Sequence, residues 1–473
     1  MSRSPGIPRF TAALMPLLDP EDPRPIHFVG IAGAGMSALA ELFARRGARV
    51  TGCDAGSAGT DDLVRAGISA VRGHDPSHVA GARALVVSSA IPRDHPELAA
   101  ARAAGIPIVR RAEALGEAVA GDELVAIAGT HGKTTTTVMT TEALRSAGLA
   151  PTGVVGGRVP AWGGNLSTGG DRVFVVEADE YDRSFLALAP TVAVVTNIEA
   201  DHLDIYRDLD DIRGAFTQFV SGARKIVLCA DDPGAAGLAV PNAAEALRYG
   251  IESADARLVA RDVRADGEAT RFDIVFDGEA EGSASLRVPG EHNVLNALAA
   301  LAAGIGLGAG VGAMLPGLES FTGVERRFQR LGVIRGVTVV DDYAHHPTEI
   351  RATLAAARAA FPGRRVIAAF QPHLFSRTRD FAGDFGKALS LADALYLTEI
   401  YPAREQPIPG VTAEVIAAAV RASGGIVAWR GDRSNLAAAL AGSVRDGDVV
   451  LTIGAGDVTR TGPELLERLR ASA

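Results

Sequence analysis

The residues of this chain with the clearest chemical capacity lie in one glycine- and threonine-rich segment. Residues 129–137 read Gly-Thr-His-Gly-Lys-Thr-Thr-Thr-Thr, and they follow an apolar run over residues 124–128. Glycines at this junction allow backbone N–H groups to face an anion, Lys133 adds a positive charge, and the Thr134 hydroxyl can bind Mg²⁺. This order of strand, loop and helix predicts a phosphate-binding loop, with a plain surface turn as the alternative.

Two carboxylate-rich segments follow later apolar runs. Residues 177–180 read Glu-Ala-Asp-Glu and come directly after the run 173–176, and residues 196–204 contain three more carboxylates together with His202. Carboxylates at the carboxyl end of a strand suit a hard divalent cation that bridges phosphate oxygens. Either segment alone could be a solvated acidic turn, but two of them after a phosphate loop favour a metal site.

A second glycine-rich loop lies near the amino terminus. Gly33, Gly35 and Ala38 satisfy the G-x-G-x-x-A fingerprint, and Asp54 ends the next predicted strand. This fingerprint brings a diphosphate to the start of a helix, and it occurs in nicotinamide and flavin enzymes. An oxidoreductase and a plain tight turn are therefore open alternatives, although the separate phosphate loop counts against a dehydrogenase.

The last third of the chain contains two dense polar motifs, each after an apolar run. Residues 341–349 read Asp-Asp-Tyr-Ala-His-His-Pro-Thr-Glu, and residues 371–379 read Gln-Pro-His-Leu-Phe-Ser-Arg-Thr-Arg. Adjacent side chains point to different sides, so we do not expect both His345 and His346 in a core. Arg377 offers donors for a carboxylate or a phosphate. A surface turn is the alternative for each motif.

Residues 291–297, Glu-His-Asn-Val-Leu-Asn-Ala, open an alanine- and leucine-rich stretch. Asn293 could be a helix cap and nothing more. The uncharged run 293–318 is long enough to raise the question of a membrane span, but it is mostly Ala and Gly. Such residues insert weakly, so the run predicts a buried helix followed by a glycine-rich turn.

The elements that must position these motifs form three predicted α/β units. Short β-rich runs alternate with helical stretches, which is typical of parallel sheets with crossover helices. Residues 260–288 alternate charged and apolar residues and predict antiparallel hairpins instead. Turn-rich segments separate the units and predict domains over residues 1–120, 121–325 and 326–473. The predicted strands cover residues 26–29, 48–51, 84–87, 106–109, 124–128, 173–177, 192–197, 225–229, 365–370, 394–398, 425–429 and 449–453, with a further one from 337.

Bulk composition excludes several classes of protein. The 473 residues carry a formal charge of −9 that is spread along the chain, which disfavours a nucleic-acid partner. The two cysteines, Cys53 and Cys229, end apolar runs and predict buried free thiols in a reducing compartment, which we take as the cytoplasm. Pro16 interrupts the short apolar piece over residues 12–18, so we expect a poorly ordered leader at the amino terminus instead of a secretory signal.

These motifs together resemble those of the Mur ligases, the ATP-dependent amide-forming enzymes of peptidoglycan precursor synthesis. The phosphate loop, with Ile127 where the common pattern needs glycine, is similar to their shortened loop. Residues 341–349 and 371–378 resemble the signatures of the alanine-adding members. The chain has no lysine between His202 and Arg224, where several relatives carry a carbamylated lysine, so we expect no carbamate.

The resemblance implies a Rossmann-like N-terminal domain, a central P-loop-type ATPase domain and a Rossmann-like C-terminal domain. It implies that Thr134 and Glu177 hold one Mg²⁺ and that His202 joins Glu177 on a second, although histidine is an unusual ligand for this ion. The implied ATP site consists of Gly129, Thr130, His131, Gly132, Lys133, Thr134, Thr135, His292, Asn293, Asn296 and Arg327. The implied UDP-sugar site consists of Gly33, Gly35, Met36, Ser37, Asp54, Ser88 and Ser89. The implied catalytic residues are Lys133, Glu177, His202, His345, His346 and Arg377.

The activity implied by the resemblance is ATP-dependent joining of L-alanine to UDP-N-acetylmuramate through an acyl phosphate. The partners are then small molecules, without nucleic acid or membrane, and the chain would act as a monomer or weak homodimer. One alternative is a recycling ligase that adds a tripeptide to the same sugar. An NAD-type oxidoreductase and a nucleotide switch without catalysis are alternatives from other classes.

Overall fold

Three sheets organise the chain, in agreement with the predicted α/β fold. The computed structural model describes residues 16–56, 61–241, 245–403 and 405–471. The first two sheets share one continuous hydrophobic cluster, whereas separate clusters cover the two faces of the third sheet. Polar contacts, among them the Arg377–Asp201 ion pair, connect the third unit to the second.

The first sheet is parallel, with the strand order β3-β2-β1-β4-β5. Its central strand β1 is buried along its whole length, because helices cover both faces and an apolar run can fill both. The strands are β1 (Ile26–Val29), β2 (Val50–Asp54), β3 (Ser69–Arg72), β4 (Ala84–Val87) and β5 (Ile108–Arg110). The helices are α1 (Ala34–Arg45), α2 (Asp61–Arg65), α3 (Pro96–Ala103) and α4 (Arg111–Ala118), with a 3₁₀ helix at Pro76–Val79.

The second sheet has ten strands in the order β15-β14-β13-β12-β11-β10-β6-β9-β7-β8. The hairpins predicted over residues 260–288 are confirmed by antiparallel pairing of β14 with both β13 and β15. The strands are β6 (Glu123–Ala128), β7 (Thr152–Val159), β8 (Gly164–Ser167), β9 (Val173–Glu177), β10 (Val192–Val195), β11 (Lys225–Cys229), β12 (Glu245–Gly250), β13 (Leu258–Asp266), β14 (Ala269–Phe276) and β15 (Glu279–Leu286). The helices are α5 (Lys133–Ser146), α6 (Leu209–Ser221), α7 (Pro233–Ala236), α8 (Glu291–Gly306) and α9 (Val311–Ser320), with 3₁₀ helices at Pro160–Trp162 and Tyr181–Ala187.

The uncharged run 293–318 forms two helices, so the prediction of a glycine-rich turn after the first is only partly right. The turn is short, and Val311, Met314 and Leu318 then recur at helical spacing and are buried. No helix within the described ranges is both long and apolar enough to cross a bilayer.

The third sheet has the order β16-β17-β21-β18-β19-β20, with only the edge strand β16 antiparallel. Its strands are β16 (Gln329–Ile334), β17 (Val337–Asp342), β18 (Val366–Phe370), β19 (Ala394–Thr398), β20 (Val427–Gly431) and β21 (Val449–Ile453). Its helices are α10 (Pro347–Ala360), α11 (Phe375–Asp380), α12 (Ala382–Leu389), α13 (Ala413–Ala422), α14 (Arg433–Ala441) and α15 (Thr461–Ala471), with a 3₁₀ helix at Asp457–Arg460.

The expected leader is ordered where the structure describes it, so that prediction is wrong for residues 16–25. Leu17 is buried, its carbonyl accepts a hydrogen bond from Arg83, and its N–H donates to the carboxylate of Glu117. These contacts fasten the segment to the first unit, which the apolar piece alone did not reveal. Residues 1–15 lie outside the described residues.

Candidate active site

The phosphate loop lies at the carboxyl end of β6 and opens α5. Gly129 has φ +141° and Gly132 has φ +82°, and a Cβ at these positions would lie 2.0 Å from Thr196 Oγ1 and 2.5 Å from Asn296 Oδ1, respectively. Asn197 fastens the loop from β10, because its Oδ1 accepts from the His131 N–H at 2.7 Å. Glycine at these two positions thus allows the backbone to approach its neighbours closely. The N–H groups at the start of α5 can then bind an anion.

Lys133 turns its ammonium group back over the loop. Its Nζ donates to the carbonyl of Gly129 at 2.6 Å and lies 2.8 Å from the carboxylate of Glu180. Burial opposes the positive charge of Lys133, but Glu180 and Asp179 outweigh it and raise the lysine pKa. Burial also raises the pKa of Glu180 to about 7. Lys133 is therefore a positively charged group beside the loop, and Glu180 is its ion-pair partner in this structure.

Thr134 and Glu177 meet at the first turn of α5. The Thr134 hydroxyl donates to Glu177 Oε1 at 3.0 Å, and Glu177 Oε2 accepts from the N–H of Gly156 at 2.7 Å. Thr134 lies in the first turn of α5, which follows β6, and Glu177 ends β9. Since β6 and β9 are neighbouring parallel strands, their carboxyl ends bring the two residues together. Both side chains present hard oxygen donors, which suit Mg²⁺.

His202 lies beside two carboxylates of the second unit. Its Nε2 lies 3.8 Å from Glu180 Oε1 and 3.9 Å from Asp201 Oδ2. Burial lowers the pKa of His202, and so favours the neutral ring that binds metal ions. Glu180 and Asp201 thus lie beside His202, and its joint role with Glu177 on a second ion stays a prediction.

Arg377 is buried and forms an ion pair between units. Its Nη2 donates to Asp201 Oδ1 at 2.5 Å, and its Nη1 lies 3.5 Å from His373 Nδ1. Burial opposes the negative charge of Asp201, but Arg377 and His202 outweigh it and hold the pKa of this carboxyl far below its usual range. The pair connects the third unit to the second.

The two adjacent histidines of the third unit have different surroundings. His345 Nδ1 lies 3.1 Å from the Tyr343 carbonyl and 3.2 Å from Glu349. His346 is the N-cap of α10 and only 4% exposed, whereas His345 is half-buried, so the two rings do not both lie in the core, as expected. Burial lowers the pKa of His346 to about 4, which makes it neutral at physiological pH. Its Nε2 is buried, with no hydrogen-bond partner in the part of the chain that the structure describes.

His131 of the phosphate loop joins the second and third units. Its ring nitrogens lie 3.2 Å from Glu199 and 3.4 Å from Glu349, and Thr348 donates to Glu199 at 2.7 Å. Burial opposes a charge on His131, but the two carboxylates prevail and raise its pKa to about 9. A protonated His131 therefore links the phosphate loop to the start of α10.

A cavity of about 280 Å³ lies between these units, beside the phosphate loop. Asn293 is not a helix cap, because Gly290 precedes the helix and the Asn293 amide donates to the Pro289 carbonyl at 2.8 Å. Gly129, Thr130 and Lys133 form the adjoining loop without lining the cavity. The residues of the implied ATP site that do line it are His131, Gly132, Thr134, Thr135, His292, Asn293, Asn296 and Arg327.

A second cavity, of about 480 Å³, lies between the first and second units. Asp54 lines it, but its Oδ2 already accepts from the Ala32 N–H at 3.0 Å and supports the glycine loop. Ser37 and Ser89 are not among the lining residues, since Ser37 bonds to its own helix and Ser89 faces outward. The other residues of the implied UDP-sugar site, Gly33, Gly35, Met36 and Ser88, line the cavity.

Three functional candidates were missed by sequence reasoning. Arg111 lines the second cavity within 4.0 Å of Asp179, and no motif surrounds it in the sequence. Glu180 and Glu199 were treated only as members of acidic segments. Their partners, Lys133 and His131, lie in the phosphate loop, and only the fold brings them within reach.

Comparison with known proteins identifies the family of this chain. Three family models match in succession: "Mur ligase family, catalytic domain" over residues 25–123, "Mur ligase middle domain" over 127–304, and "Mur ligase, glutamate ligase domain" over 326–456. The chain is 49% identical to the UDP-N-acetylmuramate–L-alanine ligase of Cutibacterium acnes, over 97% of this chain and 98% of that protein. The chain therefore belongs to the Mur ligase family.

Solved structures resemble the whole fold. The UDP-N-acetylmuramate–alanine ligase of Thermotoga maritima is 30% identical, with a TM-score of 0.81 over 95% of this chain and 100% of that one. A murein peptide ligase from Psychrobacter arcticus is 27% identical, with a TM-score of 0.69 over 94% and 98% of the two chains. Both relatives share the arrangement of three α/β units.

Proposed function

We propose that this chain joins L-alanine to UDP-N-acetylmuramate at the expense of ATP, in peptidoglycan precursor synthesis. The proposal is supported by relatives that carry this activity in their names and cover nearly the whole chain. The observation that carries it is the contact between Thr134 and Glu177. Thr134 lines the first cavity and Glu177 lines the second, so the 3.0 Å bond between them lies where two ligands would meet.

ATP occupies the first cavity in this proposal. The phosphates lie on the loop and at the start of α5, where N–H groups and the helix dipole favour negative charge. His292 would face the base as a neutral ring, because burial lowers its pKa to about 4. Arg327 keeps its charge, since Glu349 and Asp342 outweigh the effect of burial and raise its pKa. In the proposed orientation of ATP, the base therefore lies at α8 and the γ-phosphate lies at Thr134.

The UDP-sugar occupies the second cavity. Its diphosphate would meet the glycine loop at the start of α1, and Arg111 would add a guanidinium group on the same side. A Cβ on Gly35 would lie 2.8 Å from Arg111 Nη1, so a side chain there would displace the guanidinium group. This arrangement directs the sugar carboxylate toward Glu177 and the phosphate loop.

Magnesium fits the residues at this junction. The Thr134 hydroxyl and the Glu177 carboxylate are the hard oxygen donors that the ion prefers. A second ion would be held by His202 together with Glu177, and the carboxylates of Glu180 and Asp201 lie 3.8 and 3.9 Å from His202 Nε2. When bound, Mg²⁺ would draw charge from the transferring phosphoryl group.

The chain's own residues then serve two successive steps. A carboxylate oxygen of the sugar attacks the γ-phosphorus, the bond to the β-phosphate oxygen breaks, and Lys133 leaves Glu180 to neutralise the transferred phosphoryl group. The L-alanine amine attacks the acyl phosphate carbon, phosphate leaves, and the amide forms. His345 or His346 would accept the amine proton, and His346 Nε2 has no hydrogen-bond partner among the described residues. Arg377 would orient the amino-acid carboxylate or the acyl phosphate.

Phosphate release measured with a matrix of UDP-sugars and amino acids tests the proposal. We expect the fastest turnover with UDP-N-acetylmuramate and L-alanine together. Glycine or serine in place of L-alanine should give a lower kcat/KM, by about 1 to 3 kcal/mol of transition-state stabilisation. Preference for a tripeptide would favour the recycling reaction instead. A change in nicotinamide absorbance would favour the oxidoreductase. Sedimentation would test the expected monomer or weak homodimer, and fractionation would test the expected cytoplasmic location.

A further inference from the structure

Four of the ten histidines of the chain surround one buried carboxylate of the first unit, remote from the phosphate loop. This carboxylate is Glu97, which lies in the first turn of α3 and is 0% exposed. Cys53 Sγ lies 3.1 Å from each of its oxygens, and His78 Nδ1 lies 2.9 Å from Oε1. The proposed ligase reaction uses none of these three side chains.

The charge of Glu97 has an unusual balance. Within the described part of the chain, each ion pair of Glu97 is with a histidine, namely His74, His78 or His95. An ionised carboxylate without contact to water needs a positive partner. Either a protonated histidine or a bound cation can supply that charge.

The positions of the donor atoms favour a cation. One ligand atom each from His27, Cys53, His78 and Glu97 lies within 4.8 Å of all the others. Zinc in a tetrahedral site has Zn–S bonds of about 2.3 Å and Zn–N bonds of about 2.0 Å, which place donor atoms roughly 3.3 to 3.7 Å apart. Small side-chain movements would therefore bring the four atoms around one ion.

His27 carries a second, independent sign of a missing partner. Its ring is 2% exposed, and its Nδ1 lies 3.0 Å from Thr51 Oγ1. Its Nε2 is buried and has no hydrogen-bond partner among the described residues. Metal-binding histidines characteristically use one ring nitrogen for the ion and fix the other with a hydrogen bond. Thr51 fills that supporting role here.

We propose that His27, Cys53, His78 and Glu97 form a zinc site in the first unit. The thiol and two imidazoles favour Zn²⁺ over the magnesium that serves the phosphate end of the active site. Four protein ligands complete a tetrahedron, so the site is structural and has no open position for chemistry. On binding, Zn²⁺ takes the place of the thiol proton of Cys53, which is released to solvent.

The zinc site would stabilise the elements that line one side of the second cavity. Its ligands come from β1, the end of β2, the 3₁₀ helix Pro76–Val79 and α3, so one ion joins four elements. Cys53 immediately precedes Asp54, whose carboxylate holds the glycine loop through the Ala32 N–H. His74, which lies 3.5 Å from Glu97, also lines this cavity. Loss of the ion should therefore loosen the loop as well as lower the thermal stability.

Metal analysis of the full chain tests the proposal. The protein is purified without chelator, dialysed against excess Mg²⁺ to clear weakly held ions, and analysed by mass spectrometry for metals. We expect about one zinc per chain. Glu97→Gln and Cys53→Ser should lower zinc affinity roughly tenfold or more. Cys229→Ser is the matched control, because Cys229 is the other buried cysteine and should leave the zinc content unchanged.

Cobalt provides a spectroscopic check that does not depend on ligase activity. Co²⁺ added to the zinc-free protein should produce a thiolate-to-cobalt charge-transfer band in the wild type and in Cys229→Ser, but not in Cys53→Ser. If Cys53→Ser fails to fold, the test uses the wild type alone. A chelator should then lower the Tm of the wild type, and added zinc should restore it. Zinc is also added to the zinc-free protein, and the excess is removed by dialysis. Less than a tenth of an equivalent of bound zinc after this step would overturn the site. A cobalt band that survives in Cys53→Ser would overturn it as well, and would leave the proposed ligase reaction untouched.

Discussion

Arg377→Lys is the sharpest test of the active site, because it keeps the charge and removes the planar fork. In the structure Arg377 is 6% exposed, with Nη2 2.5 Å from Asp201 and Nη1 3.5 Å from His373. A lysine carries one nitrogen on a flexible stem, so it can replace one of these contacts at most. The substitution therefore separates charge from geometry.

The size of the effect follows from the burial of the pair. A hydrogen bond to a charged group contributes about 1.5 to 3 kcal/mol. If Arg377 makes one such bond to the amino-acid carboxylate or the acyl phosphate in the transition state, its loss lowers kcat/KM for L-alanine roughly 10- to 150-fold. Binding of UDP-sugar to the free enzyme should change little, because the second cavity is lined by the first two units.

Steady-state phosphate release with varied L-alanine, together with calorimetry of UDP-sugar binding, measures both effects. Arg379→Lys is the matched control, since Arg379 lies two residues away, is half-exposed, and pairs with its neighbour Asp380. Its kcat/KM should stay within about twofold of the wild type. Unchanged L-alanine parameters in Arg377→Lys, or an equal loss in both variants, would refute the reasoning.

Three further predictions concern the phosphate loop and the two cavities. Lys133→Ala should abolish ligation, because it removes a charge that stabilises the transferred phosphoryl group by several kcal/mol. Circular dichroism should show that the fold is retained, and near-normal turnover would contradict the ATP site. Gly35→Val should weaken UDP-sugar binding in calorimetry but not ATP binding, because its side chain would meet Arg111, and the reverse pattern would mean that the cavities are exchanged. His131 has its pKa raised to about 9 in the folded protein, so its stabilising effect should be complete below its usual pKa near 6.5 and disappear as the pH rises through 9. The Tm difference between wild type and His131→Gln should shrink over that range, and a difference independent of pH would count against the charged contact.

Several features were predictable because they depend on neighbours in the sequence. The phosphate loop needs glycine at 132, where φ is +82°, and such a position is readable from Gly-Lys-Thr after an apolar run. The buried parallel strands were recognisable as continuous apolar runs, since both of their faces are covered. The ends of strands were harder to predict, because the strand expected over residues 106–109 begins at Ile108. The domain limits and the roles of individual site residues stay predictions.

What only the tertiary structure decided is which distant side chains meet. Thr134 and Glu177 are 43 residues apart, and Arg377 and Asp201 are 176 apart, yet each pair lies within hydrogen-bond distance. Helix α3, which carries Glu97, reads as an ordinary alanine-rich helix with no metal motif. By itself the sequence determined the chemistry available and the strands that present it, because backbone conformation and burial depend on local residue types. Distances between units depend on how sheets pack, and packing sums many weak contacts between residues far apart in the chain.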